Sequence, residues 1–345
     1  MLNRREFLAA TGAGLLTTQT GLLAQQPKKK KRLAVVTTLW TYKSHAWHMA
    51  ERFLHGYPIG GEWHESGLEV VSAYVDQRPD GDLSGQRSKE FGFPIYPTVA
   101  ETLRCGGDKL NVDAVLLIGE HGDYPQNEFG QKLYPRYELF SKIAGVFRKD
   151  KVSVPVFNDK HLSWNFDYAK EMVNTSKELG FAFQAGSSLP VTWRMPSVDM
   201  PYGAEVTEAM GIASGPIDIY DFHAMEMIQS MLERRKGGET GVQEVMALRG
   251  PELWQALDGG QLPGGGWPPE LFEACLSRSQ TLAQPASFSH RYPTKEQIRE
   301  KVKDPIYYWI KYRDGTIAHL LLLNGLVGDF TFAAQIKGRK KPLST

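Results

Sequence analysis

Unbroken apolar runs alternate with stretches of helical period through the first half of this chain. Arg32–Thr38 and Val112–Ile118 are near-continuous aliphatic runs, the pattern of strands covered on both faces. Leu68–Val75, Val154–Phe157 and Phe181–Ala185 add three predicted strands, and Pro94–Tyr96 a short extended piece. Between them Lys43–His55, Leu83–Phe91, Thr98–Arg104, Tyr137–Arg148 and Asn165–Leu179 are predicted helices. Phe140, Ile143, Ala144 and Phe147 mark the apolar face of the fourth. Strands alternating with helices predict an α/β, Rossmann-like, doubly wound parallel sheet, whose ligand lies beyond the carboxyl ends of the strands.

The second half has a different rhythm. Asp218–Glu233 is a predicted helix with Phe222, Met225, Ile228 and Leu232 on its core side. Ile306–Tyr312 and Thr316–Leu323 flank Asp314-Gly315, a strong hairpin signal, and Asp329–Ile336 follows as another strand. Gly259–Pro269 is a Gly/Pro-rich surface loop. The expected organisation is a leader and basic linker over 1–31, a Rossmann-like domain over 32–160, and an α+β domain over 161–345. The last would carry a mostly antiparallel sheet and serve substrate binding and homo-oligomer formation.

The leader changes the picture. Asn3-Arg4-Arg5-Glu6-Phe7-Leu8 is a twin-arginine pattern, followed by an apolar small-residue stretch from Ala9 to Ala24 with a cleavage point after Leu22-Leu23-Ala24. The stretch is too short and too rich in Gly and Thr to be a good membrane span. It predicts a signal peptide for the Tat translocase and a periplasmic or other extracytoplasmic location, a route that favours a tightly held cofactor. Lys28–Arg32 is read as a solvated linker. With 40 basic and 39 acidic side chains, a net charge of +1, nothing points to a nucleic-acid partner. The two cysteines, Cys105 and Cys275, are far apart and read as thiols.

Several polar groups converge on the predicted strand ends: Asp76, Glu120-His121 and Asp159-Lys160-His161, with His223 at the head of the Asp218–Glu233 helix. Lysine and histidine on element ends suit proton transfer to and from a hydroxyl. A competing set, Glu120, His121, Asp159, His161, His223 and Glu226, with His45 and His48 one helical turn apart, offers ligands for a divalent metal. Gly119–Arg136 reads as a long polar loop resembling a substrate lid. Trp40, Trp47, Trp63, Trp164 and Trp193 suit sugar faces and cores equally.

Taken together, these stretches resemble the glucose–fructose oxidoreductase / inositol dehydrogenase (Gfo/Idh/MocA) family over about Leu33 to Gly250. Tyr96-Pro-Thr-Val-Ala-Glu-Thr-Leu103 followed by Val112-Asp-Ala-Val115 looks like the segment leading into that family's fourth strand. Asn158-Asp159-Lys160-His161 sits where the family has its Glu-Lys-Pro motif, and His223 where it has its catalytic histidine. The resemblance implies an oxidoreductase acting on a sugar or polyol with NAD or NADP. In it Lys160, His223 and Asp159 would be catalytic. Thr38, Asp76, Glu120 and His121 would lie at the cofactor, with Asp76 on the adenosine ribose. Arg194 and His161 would lie beside the substrate.

The departures are specific. The turn Thr37–Ser44 has no glycine, and its Trp40 and Tyr42 are expected to crowd a dinucleotide. Asp76 lies about twice as far along the chain as the usual spacing of ~20 residues. Asp159 replaces the motif's glutamate and His161 its proline, and Ile219 stands where an acid is usual. The chain stops at Thr345, short of the family's closing helix, as a shortened chain or fragment would. Two alternatives therefore stand beside the oxidoreductase. One is a metal-dependent carbohydrate lyase, epimerase or hydrolase on the same fold, and the other is a non-catalytic sugar-binding protein.

Overall fold

The computed structural model describes residues 29–283 and 293–345. The twin-arginine leader lies outside them. Thirteen strands and nine α-helices follow in chain order among the described residues. The first part runs β1 (Lys31–Thr37), α1 (His45–His55), β2 (Tyr57–Ile59), β3 (Glu62–His64), β4 (Leu68–Val75), α2 (Ser84–Phe91) and α3 (Val99–Arg104). It continues with β5 (Ala114–Ile118), α4 (Arg136–Asp150), β6 (Val156–Asp159), α5 (Phe166–Glu178) and β7 (Phe183–Gly186). The second part runs β8 (Val206–Ala213), α6 (Tyr220–Leu232), β9 (Val242–Arg249), α7 (Pro251–Asp258), α8 (Pro269–Leu276) and α9 (Lys295–Lys301). It ends with β10 (Ile306–Tyr312), β11 (Ile317–Leu322), β12 (Thr331–Ile336) and β13 (Leu343–Ser344). No helix among the described residues is long and apolar enough to cross a membrane.

The first sheet is parallel, ordered β4-β1-β5-β6-β7, with Ile95 bridged parallel to Ala73 beyond β4. It takes in α5 and β7, so the parallel sheet runs past residue 160 to Gly186. Alternation splits each buried strand between two cores. Ala34, Val36, Val115 and Leu117 face Leu139, Ile143 and Phe147 of α4 with Met172 of α5, whereas Leu33, Val35, Leu116 and Ile118 face Ala46 and Ala50 of α1. Burial on both faces explains why these strands read as unbroken apolar runs.

The second sheet, β13-β12-β8-β11-β10-β9, is antiparallel except for the β11–β8 pair. The hairpin expected at Asp314-Gly315 is the β10–β11 pair, with Gly315 in the left-handed region at φ 86°. This sheet too is covered on both faces. Leu320, Leu322 and Phe332 pack against Ala224, Ile228 and Leu232 of α6, and Leu321, Tyr307 and Ala333 against α7, α8 and α9. The Gly-rich segment Gly56–Gly67 contains the β2–β3 hairpin. β8 escapes the sequence pattern because Val-Thr-Glu-Ala-Met-Gly-Ile-Ala is rich in residues of good helix propensity, and β9 because it is an exposed edge strand. Cys275 is a buried free thiol and Cys105 a half-buried one.

Candidate functional site

The carboxyl ends of β1, β4, β5 and β6 and the head of α6 form one polar crevice. Its backbone is strained. Six non-glycine residues among those described have positive φ; Cys105 and Lys151 are ordinary left-handed C-caps of α3 and α4. The other four are Lys43 (61°), His121 (66°), Lys160 (64°) and Asp218 (68°), all at the crevice. Left-handed backbone at bulky residues costs of order 1–3 kcal/mol each and gathers at functional sites.

Lys160 is the buried cation at the centre, 5% exposed, with its backbone N–H donating to Gly186 O at 3.0 Å. Glu120, at the end of β5, is held between Arg136, which it contacts directly, and Lys160, whose Nζ lies 3.4 Å from Oε2. Burial lowers the Lys160 pKa to about 8, Asp159 opposing and Arg136 reinforcing the fall. Arg136 is wholly buried at the head of α4. Its side chain passes over Gly119, where a Cβ would collide with the Arg136 stem. Gly119→Ala is therefore expected to destabilise the fold by about 1–3 kcal/mol, read as a lower urea midpoint with an unchanged slope.

Three imidazoles surround this pair. Arg136 Nη1 donates to His161 Nε2 at 3.0 Å. A guanidinium can only donate, so Nε2 is the acceptor and His161 is the neutral Nδ1–H tautomer. Burial, then Arg136, lowers its pKa to about 3. His121 and His223 are each lowered to about 4, by burial first. For His223 the next causes are the charges of Lys160 and His45, which marks them as neighbours. His121 Nε2, His161 Nδ1 and His223 Nδ1 are buried without partners. Such unpaired groups are rare in native proteins and point to a missing ligand or water.

The cofactor-side residues are arranged differently from the expectation. Trp40 does not crowd the crevice: it is fully buried, stacked on Phe93 at 6.1 Å, with Nε1 donating to Glu51 at 3.2 Å. Tyr42 is exposed. Thr38 is buried, its hydroxyl donating to the Glu120 carbonyl. Both Asp76 oxygens accept from tyrosines, Tyr74 at 2.6 Å and Tyr124 at 2.8 Å. The turn that lacks glycine places its left-handed residue at Lys43. Ser44 caps α1, whose first turn carries no acid, and burial, then the charges of neighbouring residues, lowers the His48 pKa. A helix head with Lys43 beside it and no acid in its first turn suits an anion. His45 donates from Nδ1 to Asp159 Oδ2 at 2.5 Å and packs edge-on against His121 at 5.0 Å.

The metal alternative is not supported. Among the described residues no three His, Cys, Asp or Glu side chains are grouped to hold an ion. Glu120, His161 and Asp159 already face proton donors on Arg136, Lys160 and His45.

Beside Lys160 a cavity of about 260 Å³ opens between the two sheets, lined by His161, Trp164, Asp218, Asp221 and Phe222 among others. Gln131, from the Gly119–Arg136 loop, donates to Asp218 at 3.2 Å, and Tyr308 OH donates to Asp221 at 2.8 Å. Glu226 of α6 accepts from Ser187 N at 2.6 Å. Arg194 stands apart from this cavity, paired with Asp199 at 3.0 Å and donating to the Pro190 carbonyl. The structure thus gathers Glu120, His121, Asp159, Lys160, His161 and His223. It adds Arg136 and Asp218, which sequence reading did not assign to the site. Arg136 gave no signal because an arginine at a helix start ordinarily faces water, and Asp218 was read as the first residue of a helix.

No sequence-family profile matches the chain, and no curated protein matches it by sequence. Solved structures match its fold. GenD2 from gentamicin A biosynthesis, crystallised in complex with NAD, superposes with a TM-score of 0.51 at 13% identity, over 96% of this chain and 75% of that one. The apo scyllo-inositol dehydrogenase of Lactobacillus casei superposes with a TM-score of 0.51 at 11% identity, over 92% of this chain and 76% of that one. A Rossmann-like parallel sheet joined to a mostly antiparallel second sheet is thus the fold this chain shares with GenD2 and the scyllo-inositol dehydrogenase.

Proposed function

We propose that this protein is an exported oxidoreductase of the sugar or polyol class in which Lys160 and His223 handle the proton of a substrate hydroxyl. The observation that carries this reading is the coupling of a buried lysine, pKa about 8, to a neutral imidazole, pKa about 4, at the strand-end crevice of a dehydrogenase fold. His223, unprotonated at neutral pH, accepts the hydroxyl proton. Lys160, largely protonated there and backed by Glu120, donates a hydrogen bond to the same oxygen and stabilises its developing charge. The twin-arginine sequence supports export.

The residues present fit a nicotinamide dinucleotide held by the head of α1 and side-chain donors in place of glycine amides. Lys43, His45 and His48 would face the pyrophosphate, and Asp76 would exchange the Tyr124 hydroxyl for a ribose hydroxyl. Bound there, NAD or NADP would supply the hydride acceptor.

The His45–Asp159 hydrogen bond favours a second reading. It ties the first turn of α1 to the end of β6, across the end of β5 between them, on the route from Asp76 to Lys160. With that bond kept, the same pair suits lyase or epimerase chemistry on a sugar without a dinucleotide.

Calorimetric titration of the full chain with NAD and NADP, followed by absorbance assays with neutral polyols, separates the two. Saturable nucleotide binding with polyol-dependent reduction is the expected result. No nucleotide binding, together with exchange of a sugar C–H for solvent deuterium, moves the function to the second reading. Neither activity sinks both.

A further inference from the structure

We infer that the cavity between the two sheets selects neutral polyhydroxylated ligands over anionic sugars, with His161 and Asp218 as its specificity-determining residues. The inference rests on the sugar or polyol reading above and adds which members of that class enter.

Because Arg136 donates to His161 Nε2, the His161 proton sits on Nδ1. That N–H is buried, has no partner, and belongs to a residue lining the cavity. An unmade buried donor is costly, and a ligand oxygen entering the cavity would satisfy it. The opposite wall supplies acceptors. Asp218 holds one long bond from Gln131, which leaves lone pairs for a ligand hydroxyl. Asp221 is occupied by Tyr308 and its own helix backbone. Trp164 and Phe222 offer apolar ring faces, as the C–H faces of a pyranose or cyclitol require.

Charge sets the sign of the selection. The wall carries the two carboxylates Asp218 and Asp221 and no lysine or arginine. Burial, and then the charge of Asp221, pushes the Asp218 pKa up. Arg136 lies behind His161 and is in contact with Glu120, so its charge is already matched. A uronate or sugar phosphate would bring a further negative charge against these carboxylates, while the nearest cations, Arg136 and Lys160, are already paired with Glu120.

Equilibrium binding tests the inference without requiring turnover or cofactor. The full chain is titrated with myo-inositol, D-glucose and D-glucuronate, following tryptophan fluorescence and confirming by calorimetry. Saturable binding of a neutral probe, at least tenfold tighter than glucuronate, is expected. His161→Phe should weaken the neutral probe about fivefold to tenfold, the worth of one buried hydrogen bond. Asp218→Asn, a near-isosteric change, should narrow the gap between glucose and glucuronate. Glucuronate binding as tightly as glucose, neutral-probe affinity indifferent to both substitutions, or no saturable binding of either neutral probe overturns the inference. Binding as expected with no chemistry on the bound sugar leaves the selection standing and removes only the proposed reaction.

Discussion

Lys160→Met is expected to lower kcat/KM on a neutral polyol by about 10²–10⁴-fold, the usual loss for a positioned proton-transfer group, while making the folded protein more stable. The two effects have one cause. In the unfolded chain the ammonium is hydrated and keeps its ordinary pKa of 10.5; in the fold, burial lowers it to about 8. The lowered value means that the fold holds the charged form at a cost. That cost is fully present below about pH 8, where both states are charged, and fades as pH rises towards the unfolded value. Methionine removes the charge and keeps most of the stem, so a gain on the order of 1–3 kcal/mol in unfolding free energy at neutral pH follows. Glu120 keeps its contact with Arg136 in the variant. A structural lysine would give the opposite stability sign. In the wild-type protein kcat/KM should be bell-shaped. The acid limb near pH 4 belongs to His223 and the alkaline limb near pH 8 to Lys160. His223→Asn should remove the acid limb together with most of the rate. A pH profile flat through both limbs, or a Lys160→Met variant with wild-type turnover, would dispose of the proposed proton pair.

The second large effect is acid destabilisation well above the range where carboxylates titrate. His121, His161 and His223 all carry folded pKa values of about 3 to 4, below the ordinary imidazole value of 6.5. Lowered values mean that the unfolded chain takes up protons first. Stability contributed by the neutral buried rings is present above pH 6.5 and drains away as pH falls to about 4, where the folded rings also protonate. His121 and His223 retain partial solvent access, so their contributions are discounted to on the order of 1 kcal/mol each. Together with the more deeply buried His161, the loss between pH 7 and pH 4.5 should be roughly 3 kcal/mol, measurable as a falling urea midpoint. The His161→Phe variant should show a shallower fall over that window. A midpoint constant from pH 7 to pH 4.5 would mean that these rings are not held neutral by burial. Bound ligand should stabilise the fold further, because the cavity that holds it is absent from the unfolded chain.

How much of this was legible in the chain depends on the range of the interactions. The parallel sheet was legible because β1 and β5 are buried on both faces, and continuous burial writes itself as Leu33–Val36 and Val115–Ile118. The hairpin at Asp314-Gly315 was legible because the turn needs a left-handed backbone that glycine supplies locally. β8 was not, since a central strand of Ala, Met and Gly takes its conformation from the β11, β12 and α6 surfaces it meets, not from its own propensity.

At the site, sequence by itself determined which chemistry-bearing residues stand at the strand ends: Asp76, Glu120, His121, Asp159, Lys160, His161, and His223 at the head of α6. Strand ends follow from hydrophobic period, and period is a local property. Only the tertiary structure decided which partner each takes. Trp40 turns inward because Phe93 and Glu51, remote in sequence, make it a core position. Asp159 meets His45 across 114 residues, Arg136 meets His161 and Glu120, and Asp218 joins the cavity through Gln131, 87 residues away. Protonation states, the anion-suited head of α1 and the acidic cavity wall all depend on these contacts. Burial and Coulomb interactions act through space, and the order of residues along the chain does not record those distances.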